Sequence, residues 1–379
     1  MMIVVRVLLF LPFLIAVSCG PWRAEEPVPD ALDSVATYSL SAAAPGVHYS
    51  REKLTAALSA DRTPEEIDEI DRRFQEFDAW IATRIPAPHM PSFTASFVYK
   101  NRVLYQRAIN AEIGRQYPVV SFTKLFTATC VLRLAGQQKL SLDESVQGIL
   151  PGYLVADGAM TVRNLLTHSS GFLDDGKYVS TPGTVFRYSN HNYRLLGEVI
   201  RTVASRPAHE FMSQEIVDPL EMRNTTVPVS MNGAVGLYTS SLDMSRFLIL
   251  HINHGHFGPR GIYNPALFSE IPKAAAPLPK SCADVEYRGI GWRVVKHGER
   301  FYLMDHLALW NGIGGYTAIF PEQETGFVYM SDPPYYQDGN FLRTHWDIID
   351  RLSEIAGVVG RMDPLPQAVK PCKTEDVHW

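Results

Sequence analysis

Several things the chain has little of narrow its chemistry at once. Four cysteines in 379 residues cannot staple a disulfide-rich scaffold, and none are spaced C-x-x-C for zinc or redox work. There is no basic excess: 35 Lys plus Arg stand against 40 Asp plus Glu, a formal charge of −5, so nothing in the composition would hold polyphosphate and no nucleic-acid partner is expected. Charged residues make up 20%, too few for a disordered or coiled-coil protein, whereas 46% hydrophobic residues supply a sizeable core in one large domain or two interleaved subdomains. No internal repeat is present. His251, His254 and His256 lie close together, but the acidic ligands of a metallo-hydrolase are absent nearby, so no metal and no other cofactor is expected.

The N-terminus is where apolar residues concentrate. Val7 to Val17 has the length of a secretory h-region and is too short to span a bilayer comfortably, so residues 1–18 read as an export signal. Ala16-Val17-Ser18-Cys19 resembles a bacterial lipoprotein processing box, with Ala16 where Leu is usual. A lipid anchor on Cys19, plain cleavage and an uncleaved anchor all stay open, and the expected location is the periplasm, the outer membrane by way of that lipid, or the medium. Residues 19–62 are rich in Ala, Pro, Ser and acids without periodicity and read as a tether. Export permits a disulfide, for which Cys282 and Cys372 are the available pair because Cys130 falls mid-helix among apolar neighbours.

The folded part is expected over 63–360, followed by a C-terminal tail at 361–379. Thr63-Pro64-Glu65-Glu66 is a helix start with a capping hydroxyl, a first-turn proline and acids at the positive end of the dipole, and Ile67, Ile70, Phe74, Phe77 and Ile81 share the face that follows. Phe93 to Tyr99 alternates, as do Val103 and Tyr105 after Lys100-Asn101-Arg102, which predicts a β-hairpin. The middle is helical at 125–135, 162–166, 193–203 and 241–252. Short strands return at 287–295, 302–306, 316–320 and 327–330, before a last helix with Leu342, Trp346, Ile349, Leu352 and Ile355 on one side. The order predicts an α+β fold: an antiparallel sheet flanked by helices, with an all-helical subdomain at about 140–255 inserted between its strands.

Two segments carry chemistry. In Ser121-Phe122-Thr123-Lys124 a serine at the first helical turn and a lysine one turn later project from one side. A partly neutral amine beside a hydroxyl takes its proton, and a helix N-terminus favours the charge that develops. In Tyr188-Ser189-Asn190 a phenol near a lysine can relay protons while the amide orients substrate and lysine. Each pattern also has a plain reading as a helix cap, and the pair gains weight because both would open helices onto one cleft.

Taken together, Ser121 to Lys124, Leu140-Ser141-Leu142-Asp143, Leu165-Leu166-Thr167-His168-Ser169-Ser170-Gly171, Pro182-Gly183, Tyr188 to Asn190 and Gly236 to Asp243 closely resemble the serine β-lactamase-like superfamily. That group includes class C β-lactamases, penicillin-binding D-Ala-D-Ala peptidases and family VIII carboxylesterases. The resemblance runs from about Phe93 to Asp332 and implies the β-lactamase/transpeptidase-like fold, with Ser121, Lys124 and Tyr188 catalytic, Asn190 positioning, and His168 in a structural role. The third motif departs from the usual Lys-Thr-Gly or His-x-Gly. Leu309-Trp310-Asn311-Gly312-Ile313-Gly314-Gly315 looks instead like the Trp-Gly-Gly variant of the family VIII esterases. Trp310, Asn311, Gly312 and Ile313 are thereby placed at the substrate, with the N–H groups of Ser121 and Ile313 as the oxyanion hole. A wall without Lys or His offers no cation to a substrate carboxylate, which favours small neutral esters or amides. The implied activity is an exported serine hydrolase forming an acyl-enzyme, an esterase first. A D-Ala-D-Ala-type peptidase or weak β-lactamase is the alternative if His306 or a nearby arginine meets an anion, and a non-catalytic peptidoglycan-binding envelope protein is the alternative outside enzymes. Oligomeric state is not legible in the sequence.

Overall fold

The computed structural model describes residues 49–152, 160–273, 286–297 and 300–362. The export signal, Cys19, Cys282, Cys372 and nearly all of the C-terminal tail lie outside them. Cys130 is inside, buried and with a free thiol.

The first element corrects the far end of the tether. Helix α1 (Arg51–Leu58) is capped by Ser50 and buries Leu54 and Leu58. Two leucines four apart make one turn of apolar face, too short to register as periodicity in an alanine- and charge-rich stretch. Helix α2 (Pro64–Ala82) starts with a reciprocal capping box, Glu66 N–H on Thr63 Oγ1 and Thr63 N–H on Glu66 Oε2. Its buried face is Ile67, Ile70, Phe74, Phe77 and Ile81, as the spacing requires.

Strands β1 (Phe93–Tyr99) and β2 (Arg102–Ile109) form the hairpin. The chain then leaves the sheet for its helices, among them α3 (Thr123–Gly136), α4 (Val162–Leu166), α5 (Asn190–Ala204) and α6 (Ser241–Ile252). It returns as β3 (Glu286–Arg288), β4 (Arg293–His297), β5 (Arg300–Trp310), β6 (Ile313–Phe320) and β7 (Thr325–Ser331), and ends in α7 (Gly339–Val359). These seven strands join one antiparallel sheet in the order β2-β1-β7-β6-β5-β4-β3. The first hairpin therefore docks on the last strand, Phe93 opposite Ser331 and Tyr99 opposite Thr325. This is an α+β fold, and its sheet closes only after the whole helical insert has been made.

Alternation divides the core in two. On β7, Phe327 and Tyr329 join the cluster formed by α1, α2 and α7, while Val328 and Met330 join the larger cluster under the insert. The site lies on the second side.

Candidate active site

Ser121 sits in a 3-10 turn, Val120–Phe122, that runs directly into α3. Val120 has φ of 33°, a left-handed backbone that a β-branched residue adopts only under strain of about 1–3 kcal/mol. The turn is tied down on both sides, because Tyr117 and Thr239 pair as a short ribbon and Val119 N–H donates to Leu237 O at 3.0 Å. The expected serine thus stands at an enforced corner.

The three residues expected to share protons meet there. Lys124 Nζ donates to Ser121 Oγ at 3.0 Å, and Tyr188 OH lies 2.9 Å from the same oxygen. Lys124 Nζ also donates to Ala234 O at 3.1 Å and lies 5.0 Å from the centre of the Tyr188 ring. Ser121 and Tyr188 keep partial access to solvent, whereas Lys124 is fully buried. Burial pushes the lysine below its ordinary range; the neighbouring Tyr188 and Asp174 oppose that shift and Arg288 adds to it. An amine so placed is easier to find neutral.

Sequence reasoning passed over the Ala234 carbonyl that holds the lysine. Asn232 Oδ1 accepts Ala234 N–H and Val235 N–H at 3.0 and 3.1 Å, and Thr127 Oγ1 donates to Gly233 O at 2.7 Å. Gly233 has φ of 85°, and a Cβ there would lie 2.3 Å from Tyr193 O, so glycine alone lets this loop press against α5. Side-chain motifs cannot reveal a backbone acceptor.

Tyr188 is positioned by His168. The two rings stack at 4.5 Å and 28°, and His168 Nδ1 accepts Ser189 N–H at 3.1 Å. Burial, followed by the charges of Arg288 and Lys124, pushes His168 well below the usual imidazole range, so it is a neutral ring with its proton on Nε2.

The lysine contact expected of Asn190 is not made. Its Nδ2 donates to Asp174 Oδ2 at 2.9 Å and its backbone N–H to Asp174 Oδ1, while the lysine is served by Ser121 and Ala234. As the first residue of α5, Asn190 presents an N–H that wants an acceptor, and Asp174 meets it at the positive end of the helix. The local cap wins over the lysine contact.

The third-motif residues close the hairpin between β5 and β6. Trp310 and Ile313 pair across a two-residue turn, Asn311-Gly312, in which Gly312 takes φ of 83° and donates its N–H to Pro333 O at 2.8 Å. Trp310 is 62% exposed, with its ring parallel to Tyr336 at 6.3 Å. In a hairpin of this length the closing pair exchanges hydrogen bonds, so Ile313 turns its N–H to Trp310 and cannot be the second oxyanion donor. Alternation turns the N–H groups of Leu307 and Leu309 the other way. On that edge β4 begins at Arg293 opposite Asp305 and leaves the rest of β5 open beside the turn carrying Ser121. Leu309 is the donor that the register offers.

The same strand brings His306 into the cleft, where it meets the Phe122 ring edge-on at 6.1 Å. Its Nδ1 donates to Gly291 O at 2.9 Å, and burial together with Arg288 pushes it well below its usual range, so it is neutral. Arg293 is held by Asp305, Nε to Oδ1 at 2.6 Å with a second bond from NH2 to Oδ2, and Tyr316 OH completes that carboxylate. Arg288 does reach the cleft. It is buried, and its guanidinium carbon lies 5.9 Å from the ring centres of both Tyr188 and Phe186. No sequence signal marked it, because it belongs to a short edge strand far along the chain from either motif.

Residues 70–348 match the family described as Beta-lactamase. Protein flp of Staphylococcus aureus (strain MW2) is 26% identical over 188 residues, 40% of this chain and 38% of that protein. A putative D-alanyl-D-alanine carboxypeptidase of Escherichia coli (strain K12) is 21% identical over 223 residues, 46% of this chain and 51% of that protein. The chain thus spans between 38% and 51% of the length of these two relatives. Among solved structures, an octameric penicillin-binding protein homologue from Pyrococcus abyssi aligns with a TM-score of 0.61 at 20% identity, covering 69% of this chain and 74% of that one. A putative beta-lactamase from Bacteroides dorei DSM 17855 aligns with the same TM-score and identity, covering 72% and 97%. At that identity the two structures speak for the fold.

Proposed function

Because the chain belongs to the Beta-lactamase family, a group of serine hydrolases sharing this fold, we propose that it hydrolyses an ester or amide through an acyl-enzyme on Ser121. One observation carries the reading: a single hydroxyl oxygen lies within hydrogen-bond reach of both an amine and a phenol, at 3.0 and 2.9 Å. A binding module has no use for that contact, since burying Lys124 costs stability and brings nothing to recognition.

In the first half-reaction Ser121 Oγ attacks the carbonyl carbon and passes its proton to Lys124 Nζ. The N–H groups of Ser121 and Leu309 receive the developing oxyanion, each such donor contributing about 3 kcal/mol to the transition state. The C–O or C–N bond then breaks, and the leaving group takes a proton from Tyr188 OH, which Lys124 restores. Water repeats the sequence on the acyl-enzyme, giving up a proton to the same pair and freeing the acid and Ser121.

A fluorophosphonate probe is expected to label the purified protein at Ser121, and Ser121→Ala to abolish labelling without lowering the melting temperature. A well-folded wild type that resists the probe would favour the binding module. The preference for neutral esters rested on a cleft without a cation, and Arg288 removes that ground; the exposed Trp310 keeps an apolar ester as a second reading. Export with Cys19 as lipid attachment point belongs to the same proposal: fatty-acid labelling in bacteria should follow Cys19 and vanish in Cys19→Ala.

A further inference from the structure

We propose that Asp332 is a positioning residue for this reaction: it ties the turn that carries Ser121 to the strand that carries Leu309, so that the two N–H donors meet one oxyanion. The inference rests on the acyl-enzyme reading above and adds what keeps those donors, far apart in the chain, at a fixed separation.

Leu309 has a defined place in the sheet. It pairs with Gly314, Gly314 with Ser331 and Ser331 with Phe93, one row across β5, β6, β7 and β1. Along that row Ser331 Oγ donates to Gly314 O at 3.0 Å. Asp332 is the next residue after Ser331 and stands beside Ser92, the residue before Phe93. Pro333 O then accepts the Gly312 N–H of the turn that follows Trp310, at 2.8 Å. The end of β7 thus grips the hairpin that carries Leu309.

The same end of β7 grips the approach to Ser121. Asp332 Oδ1 accepts Ser92 N–H at 3.1 Å and Ser92 Oγ at 2.6 Å, and Asp332 Oδ2 accepts Arg115 NH2 at 2.6 Å. Arg115 NH1 donates to Ser92 Oγ at 2.9 Å, and its guanidinium carbon lies 4.7 Å from the centre of the Tyr117 ring. A carboxylate paired with a guanidinium only accepts, so the single Ser92 proton points to Asp332 and Tyr117 OH is the donor to Ser92 Oγ, at 3.1 Å. The serine oxygen is then saturated, with one bond given and two received. Ser92 and Tyr117 are both buried, where losing one partner strands another polar atom, so the network holds as a unit.

What it holds is the foot of a strained corner. Tyr117 lies three residues before Val120, whose left-handed backbone persists only where its surroundings over-determine it. The ribbon to Thr239 and the Val119–Leu237 bond secure that corner from the insert, and the Tyr117 hydroxyl secures it from the sheet. Loosening the hydroxyl lets Ser121 shift against Leu309. A displaced oxyanion donor weakens the transition state and leaves the ground-state contacts of the substrate largely as they were.

The test reads the polarisation of the acyl carbonyl. The p-nitrophenyl ester of 4-dimethylaminocinnamic acid should give an acyl-enzyme absorbing to the red of a simple ester of that acid, because donors on the carbonyl oxygen draw charge toward it. Asp332→Ala should move the band back toward the simple ester and lower the acylation rate constant about ten- to hundredfold. Asp332→Asn, which keeps an acceptor for Ser92, should recover most of both. Tyr117→Phe changes no charge and cuts only the last link, so it should move the band the same way by less. A purely structural Asp332 would lower the melting temperature and the active fraction counted with the fluorophosphonate, yet leave in place the band of whatever acyl-enzyme forms. A band unmoved in Asp332→Ala or in Tyr117→Phe overturns the proposal, as does a wild-type band no redder than the simple ester. If Asp332→Ala does not fold, Tyr117→Phe decides alone. A wild type that gives no acyl-enzyme band and resists the fluorophosphonate overturns the acyl-enzyme reading, and the proposal falls with it.

Discussion

The two faces of the sheet are built on opposite rules. Against α2 and α7 the sheet presents aromatic rings, Phe74 stacked on Tyr105 at 4.8 Å and edge-on to Phe97 at 5.4 Å, and the buried Arg293–Asp305 pair on that side is closed by its own partners. Against the insert it presents a cleft into which Lys124, His168 and His306 are buried, with Arg288 reaching in from the edge strand. One face gains free energy by removing apolar surface from water, while the other gives some up to hold an amine and a phenol on one hydroxyl. Stability and chemistry share the sheet as a common wall, with the costs on one side.

Substitutions on the two faces should therefore separate cleanly. The largest effect expected is at Lys124: Lys124→Met should lower kcat/KM at least a thousandfold on any substrate, comparable with loss of a general base, while the melting temperature holds or rises because a buried ammonium has been removed. Steady-state kinetics beside thermal unfolding checks both halves, and a variant that unfolds would break the contrast. On the opposite face, Phe74→Ala should cost about 3–5 kcal/mol in denaturant unfolding, the usual price of an emptied aromatic site, yet leave kcat per active site within about twofold. Titration with the fluorophosphonate supplies the count of active sites.

A smaller effect tests the electrostatics of the cleft. Lys124 must be neutral to accept the serine proton, and its pKa lies below the ordinary lysine range, so kcat/KM should rise with pH and level off before pH 10.5. Below that limb it should fall about tenfold per pH unit. Because Arg288 helps to lower Lys124, Arg288→Gln should move the limb toward higher pH. A limb that stays in place would show that another group controls it.

Much of the fold was legible in the chain. The capping box at Thr63, the apolar face from Ile67 to Ile81 and the alternation over Phe93 to Tyr105 are local patterns, and local patterns survive into the structure. Helix α1 escaped because two buried leucines are too few to outweigh composition. At the site, Ser121 and Lys124 were legible because one helical turn joins them, and Tyr188 because a neighbouring motif accompanied it. The missing contact between Asn190 and the lysine was not legible because the competition between an α5 cap and the lysine depends on Asp174, 16 residues away. Ile313 was misplaced for a related reason: whether an N–H faces a partner strand or an open edge is a matter of register, and that depends on where β4 begins.

The sequence by itself determined which segments coil, which extend, and that a serine and a lysine would share one side of a helix start, since each follows from backbone geometry over a few residues. Only the tertiary structure decided that Tyr188 would close on that serine, that Ala234 would hold the lysine, and that Arg288 would supply charge from the far end of the sheet. Those contacts join parts of the chain tens to more than a hundred residues apart, and their geometry exists only once the insert has folded between the strands and the sheet has closed around it.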